Sequence, residues 1–292
     1  MTQVVIPPGT ETQPNVSQPL AGGGRGLIGS NNDDRVRGTA GDDIVAGLPG
    51  DDLVAAGGGD DDLLMGTGSD TGVGGTGNDS VQGNQGNDSL VGGLGDDCVR
   101  GGKDNDTVEG GAGADILYGD RGEDVVGGGS ESDTILGGQG NDSIDGGEGN
   151  DSLRGGKGND IVIGGTGDDV LSGDKGDDVL TGGEGADIFF FLYSPNGSYG
   201  TDTLTDFNSG EGDSIGLRGS DFNLAGGALA EADFAVVEDF SPNGSSGVTA
   251  SIIYDPNSGF IYYNATPGTG DETTIAYVDP GTNLTAGDFE IF

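Results

Sequence analysis

Between Ser30 and Phe191 the apolar positions recur with a period of nine. An aspartate stands every nine residues from Asp34 to Asp187, eighteen times, and two positions after each comes Val, Leu, Ile or Phe. Only Gly72 interrupts that apolar row. Two positions before each aspartate is Gly, except at Asn32, Asp104 and Glu131. The unit is G-G-x-G-x-D-x-U-x, seen cleanly in Gly146-Gly147-Glu148-Gly149-Asn150-Asp151-Ser152-Leu153-Arg154. A fixed period sustained this long signals a stacked repeat rather than a globular core. Glycine permits the positive φ of a tight turn. The last three residues predict a short strand with its central side chain pointing in. Two nonamers then make one coil, about nine coils in all, and stacking yields two parallel sheets around the apolar row. The expected class is all-β.

After the repeats the pattern changes. Of seventeen Phe and Tyr, only Tyr118 precedes Phe189. Phe189, Phe190, Phe191 and Leu192 offer bulk to cap the open end of the stack. The runs Ile252–Tyr254 and Phe260–Tyr263 flank Asp255-Pro256-Asn257-Ser258-Gly259, which predicts a hairpin. Phe234–Val237, Thr274–Val278 and Phe289–Phe292 complete a small antiparallel region. The expected organisation is a flexible tail at 1–28, the repeats at 29–191 and a C-terminal β cap at 192–292.

Composition narrows the chemistry. With no His, no Trp and one Cys among 292 residues, a histidine-based triad, a His-bearing zinc site and an internal disulfide are excluded. The net charge of −41 would repel nucleic acid and anionic lipid, and no apolar stretch reaches spanning length. Neither nucleic-acid binding nor membrane insertion is expected. Residues 29–191 hold 35 acidic and 8 basic side chains. The turn points backbone carbonyls inward and each aspartate adds a carboxylate. Oxygen-only ligands suit a hard cation, and flexible coordination by six to eight of them suits Ca²⁺ better than Mg²⁺. Eighteen turns in two stacks of nine leave at most about sixteen sites between neighbours.

The nonapeptides resemble those of RTX, or hemolysin-type calcium-binding, proteins. That resemblance implies a right-handed parallel β-roll, with calcium held between adjacent turns by the second- and fourth-position carbonyls and the aspartate carboxylate. Carried onto this chain, the implied ligands begin with Gly41, Asp43, Gly50, Asp52, Gly57, Gly59, Asp61, Gly66, Gly68 and Asp70. They continue through Gly75, Gly77, Asp79, Asn84, Gly86, Asp88, Gly93, Gly95, Asp97, Gly102, Asp104 and Asp106. Next come Gly111, Gly113, Asp115, Asp120, Gly122, Asp124, Gly129, Glu131, Asp133, Gly138, Gly140 and Asp142. The set closes with Gly147, Gly149, Asp151, Gly156, Gly158, Asp160, Gly165, Gly167, Asp169, Asp174, Gly176, Asp178, Gly183, Gly185 and Asp187. Asp104, Asp120, Glu131 and Asp174 replace turn glycines, so their backbone must accept an unusual φ. Met65 also replaces a turn glycine, and Gly72 leaves a hole in the apolar row.

The segment around Asp202, Asp206 and Asp213 resembles the region that follows the repeats in RTX proteins, where it either adds a terminal calcium site or forms a solvated face. The resemblance also implies export through a type I secretion apparatus by an uncleaved C-terminal signal, for which Asp288-Phe289-Glu290-Ile291-Phe292 fits. Met1 to Leu20 lacks the basic start and apolar block of an ordinary secretory signal. The expected function is therefore a non-catalytic, secreted or cell-surface calcium-binding protein whose roll folds on binding Ca²⁺. A surface or matrix component using the roll as a calcium-stiffened spacer is the alternative. A third reading is an enzyme in residues 192–292 using Asp202 and Asp206. Gly212-Asp213-Ser214-Ile215-Gly216 matches a hydrolase nucleophile elbow without any histidine partner, and Cys98 falls on an outward strand position.

Overall fold

A computed structural model of the chain describes residues 4–5, 18–19, 25–192, 199–242, 248–265 and 272–292. Most of the expected 1–28 tail lies outside the described residues. The chain divides into two compact units, Met1–Leu153 and Arg154–Phe292.

In the first unit, parallel strands repeat every nine residues and alternate between two sheets. One sheet runs Arg35–Arg37, Leu53–Gly58, Thr71–Thr76, Ser89–Leu94, Thr107–Ala112, Val125–Ser130 and Ser143–Glu148. The other runs Arg25–Ile28, Ile44–Pro49, Asp62–Thr67, Ser80–Gln85, Cys98–Lys103, Ile116–Arg121 and Thr134–Gln139. The register is a shift of one coil: Val99 pairs with Val81 on one side and Leu117 on the other. From Ile44 onward the strands of this unit are six residues long rather than three. Each begins after its aspartate and continues into the glycine pair of the next repeat, because both the apolar residue and the first glycine face inward. In Cys98–Lys103, Val99 and Gly101 are buried while Cys98, Arg100 and Lys103 are exposed.

The apolar row is dry. Val36, Val45, Val54, Leu63, Val81, Leu90, Val99, Val108, Leu117, Val126, Ile135, Ile144 and Leu153 are 0–2% exposed. The row starts one repeat before the aspartate frame, at buried Leu27, nine residues ahead of Val36 with Arg25 in the aspartate's place. The expected hole at Gly72 is filled. A methyl group there would lie 3.2 Å from Met65 Sδ and Leu90 Cδ2, so the methionine occupies the space from across the core. Met65 replaces a first-position glycine, whose side-chain direction is inward, and it is fully buried.

In the second unit the coil does not stop at the last nonapeptide. Val179–Glu184 pairs in parallel with Asp202–Leu204, which pairs with Thr273–Tyr277. On the other sheet Ile188–Phe191 pairs in parallel with Ser214–Leu217, and that strand with Phe289–Ile291. Phe189 is thus one more rung between Leu171 and Ile215, not a cap. This extension, with the early start at Leu27, brings the solenoid to about twelve turns instead of nine. Connections longer than a nonapeptide can still return the chain to the same edge, so a period count misses them. The expected hairpin forms: Ile252–Tyr254 is antiparallel to Phe260–Tyr263, with Ile252 opposite Tyr263. Helix is limited, among the described residues, to Gly219–Phe222 and two three-residue 3₁₀ turns.

Replacing Met65 by Ala should open a cavity against Gly72 and destabilise the folded roll by about 2–5 kcal/mol. Denaturant unfolding with and without the exchange will measure it; a difference near zero would mean that neighbouring side chains collapse into the space.

Candidate metal centre

Each turn ends on an aspartate whose carboxylate is directed along the stack. The Asp79 N–H donates to Asp97 Oδ1 at 2.7 Å, that of Asp97 to Asp115 at 2.7 Å, and that of Asp115 to Asp133 at 2.8 Å. On the other edge the Asp52 N–H donates to Asp70 Oδ1 at 2.7 Å, and that of Asp70 to Asp88 at 2.8 Å. The same link joins Asp88 to Asp106 and Asp106 to Asp124, both at 2.8 Å. Aspartates eighteen residues apart form columns one strand spacing apart, about 4.8 Å. All are at most 3% exposed.

One oxygen of each carboxylate is thereby satisfied and the other is not. Oδ2 of Asp52, Asp61, Asp70, Asp79, Asp88, Asp97, Asp106, Asp115, Asp124, Asp133, Asp178 and Asp187 is buried without a hydrogen-bond partner. Such an atom is destabilising unless something else neutralises it. It lies over the glycine five residues earlier, where a Cβ on Gly74, Gly83, Gly92, Gly101 or Gly110 would collide with Oδ2 of Asp79, Asp88, Asp97, Asp106 or Asp115. At these five repeats the first-position glycine leaves room for this oxygen.

The carbonyls converge on the same space. At the second position a Cβ on Gly75, Gly93 or Gly111 would strike the carbonyl oxygen of Gly57, Gly75 or Gly93 in the preceding coil. At the fourth, Gly77, Gly95 and Gly113 stand in the same relation to Gly59, Gly77 and Gly95. Both carbonyls therefore point along the stack, into the gap that the next aspartate reaches back across. Among the described residues no three Asp, Glu, Cys or His side chains converge as a metal cluster, so backbone oxygens must dominate any donor set. Buried carboxylate oxygens beside stacked carbonyls are the chemistry of a hard cation.

The non-glycine turn residues take the left-handed backbone expected of them: Asn84 at φ 81°, Asp104 at 73°, Asp120 at 75°, Glu131 at 77° and Asp174 at 69°. Leu48 does the same at 76°, a second-position residue absent from the expected ligands because no glycine or carboxylate marks it. The N-terminal edge differs in that Thr39 N–H donates to Asp43 Oδ2 at 2.7 Å, so this oxygen already has a donor. The fifth position, commonly Asp or Asn, has its own role. Asp60 N–H donates to Asp42 Oδ1 at 3.2 Å, Asn78 N–H to Asp60 at 2.9 Å and Ala114 N–H to Asp96 at 3.1 Å. These bonds run along the stack in the sense opposite to those of the sixth position.

Beyond the repeats, Asp202 and Asp213 extend the columns. Asp178 N–H donates to Asp202 Oδ1 at 3.2 Å and Asp187 N–H to Asp213 Oδ1 at 3.1 Å. Both are buried, which rules out the solvated-face reading for them. Asp206 is exposed and accepts from Gly182 and Gly183 N–H at 3.0 and 2.9 Å. Asp202 and Asp206 thus hold neighbouring backbone. Ser214 lies buried in a strand, not on a nucleophile elbow.

Burial first, then the carboxylate one coil away, pushes these groups up: Asp52, Asp70, Asp88 and Asp115 to about 6, and Asp61, Asp79 and Asp133 to about 7. The N–H bonds oppose that rise without cancelling it. A carboxyl raised in the fold contributes stability below its unfolded value of 3.8. That contribution is lost as pH climbs through 6 to 7. In chelator, the roll should therefore show more β signal by circular dichroism near pH 5 than near pH 8. A signal independent of pH, or larger at pH 8, would contradict the one-sided burial of these carboxylates.

The family of RTX calcium-binding nonapeptide repeats matches residues 28–63, 66–97, 99–126, 127–162 and 163–191, more than half of the chain. The protein belongs to this calcium-binding repeat family. No curated protein matches it. Among solved structures it is similar to the AlgE6R3 subunit of the Azotobacter vinelandii mannuronan C5-epimerase, in solution. The identity is 28%, over 56% of this chain and 79% of that one, with a TM-score of 0.22. A superposition that poor carries no argument about fold or activity.

Proposed function

We propose that this chain is a non-catalytic extracellular protein whose roll folds on binding many calcium ions after type I export. The observation that carries the reading is the column of buried, unpartnered Oδ2 atoms beside stacked carbonyls. The fitted ligands are the second- and fourth-position carbonyls and the aspartates, such as Gly75, Gly77 and Asp79, with Leu48 added to the expected set. Calcium would neutralise carboxylates that desolvation and mutual repulsion otherwise hold partly protonated. Occupied, at most about sixteen such sites would offset most of the charge of −41.

Stripped of calcium at pH 8, the protein should lose β signal and regain it at millimolar Ca²⁺, much less with Mg²⁺, whose octahedral shell tolerates poor geometry badly. Asp79→Asn with Asp97→Asn separates ligation from hydrogen bonding. The amide oxygen can keep the Oδ1 bond while one charge is lost at each site. The calcium midpoint should rise several-fold while stability in chelator at pH 8 increases. An unchanged midpoint would remove these aspartates from the ligand set.

Export fits the position of the C-terminal segment. Phe289 and Ile291 are 0% and 5% exposed in a strand beside Ser214–Leu217, so a signal there is readable only before folding. Deleting roughly the last fifty residues should retain the chain in the cytosol, as fractionation of expressing cells will show; normal secretion would refute a C-terminal signal.

A further inference from the structure

Residues 38–153 contain only three basic side chains, Arg100, Lys103 and Arg121, and all three lie on two adjacent strands of one sheet. The register places Arg100 beside Tyr118 and Lys103 beside Arg121, with Gln82 and Gln139 on the flanking strands. Arg100, Lys103, Arg121, Gln82 and Gln139 line an open groove of about 380 Å³ on the outer face, together with Asn84 and Asp120. Arg100, in the groove lining, places its guanidinium 4.5 Å from the ring centre of Tyr118, the one aromatic before Phe189. Asp120 Oδ2 holds that guanidinium from the side at 3.3 Å. Among the described residues no acidic side chain pairs with Lys103 or Arg121, although the chain carries 51 acids.

From this groove we infer a binding site for an acidic polysaccharide, an extended chain of pyranose units bearing carboxylate or sulfate groups. Lys103 and Arg121 supply two cations with their hydrogen bonds uncommitted, suited to an anionic substituent. Gln82, Asn84 and Gln139 supply paired donors and acceptors for ring hydroxyls. The Tyr118 ring lies against Arg100 and, with Asp120, fixes the guanidinium in the groove lining. The side-chain rows repeat every coil, about 4.8 Å, comparable to the rise of one hexopyranose in an extended chain. A linear polymer lying along the stack could thus meet successive coils in register, as solenoids bind elongated ligands. Nucleic acid fits poorly, since the acidic turns flank this narrow basic strip and oppose a broad polyanion. The inference uses the side chains of Asn84 and Asp120, whereas calcium ligation would use their backbone carbonyls.

The test is binding of oligogalacturonate and of heparin oligosaccharide to the calcium-loaded full chain, by calorimetry, with dextran and single-stranded DNA as controls. Lys103→Gln with Arg121→Gln should weaken binding roughly tenfold or more. Arg35→Gln with Arg37→Gln, an equal charge change on the other sheet, should alter it less than about twofold. Tyr118→Ala, which removes the ring against Arg100 and no charge, should leave the salt dependence of binding in place. Circular dichroism in calcium will confirm that each variant folds. Selective loss with the galacturonate assigns a carboxylated glycan, and with heparin a sulfated one. The proposal is overturned by no binding of either, by equal loss in both charge pairs, or by dextran or DNA binding as tightly. It is also overturned if Lys103→Gln with Arg121→Gln binds normally, for then the glycan is held through calcium at the turns.

Discussion

A carboxylate with one oxygen satisfied and one not, repeated at every coil, is the constraint on which the rest of this molecule depends. Each sixth-position aspartate reaches back to the N–H of its counterpart eighteen residues earlier, and that bond orients its second oxygen into a buried gap. Where the first position is glycine, as at Gly74 and Gly92, that oxygen occupies the place of its side chain. The second and fourth residues adopt positive φ because only then do their carbonyls run along the stack. The composition, over one fifth glycine with a large acidic excess, is the sum of these local demands. A column of buried like charges is unstable until neutralised, as by protons in acid, and this geometry is compatible with the calcium-binding repeat family to which the chain belongs.

Because each coil touches only its neighbours, departures from the repeat are absorbed locally. Met65 and Gly72 exchange roles across the core, large at a glycine position and small at an apolar one. Asp104 and Glu131 replace fourth-position glycines without interrupting the turn, since the carbonyl and not the side chain defines the position. Asp202 and Asp213 prolong the columns after connections of 24 and 26 residues in place of 18. Of the C-terminal strands, Thr273–Tyr277 and Phe289–Ile291 continue the coil, and Ile252–Tyr254 with Phe260–Tyr263 add antiparallel strands beside it. The segment expected to carry an export signal is part of that completion, and burying it on folding fits recognition of an unfolded chain.

The surface divides by frame position. The turns concentrate acid, whereas residues on the strands outside the core are free to vary, and in one place they gather cations, amides and an aromatic ring. Side chains on adjacent strands are brought together by register alone. A solenoid can thus keep its repeated interior while changing what one face presents.

The period of nine was enough to establish the stacked parallel sheets, the apolar row and the residues that share a turn, because one side chain in every repeat must face the same core; the hairpin at 252–263 was legible from its apolar runs and turn residues. Spacing of this kind says which residues share a row. It is silent on which way their hydrogen bonds run, and so it could not separate the sixth-position column from the opposing fifth-position bonds. It also made the strands too short and the coil count too small. Strand pairing recruits glycines on either side of a turn, and long connections return to the same edge without keeping the period. Leu27, Leu48 and the pairing of Met65 with Gly72 became visible only in the stack, where backbone conformation and side chains from different coils meet. The adjacency of Lys103 and Arg121 belongs there too, since eighteen residues of sequence become one strand spacing only after the coil has closed.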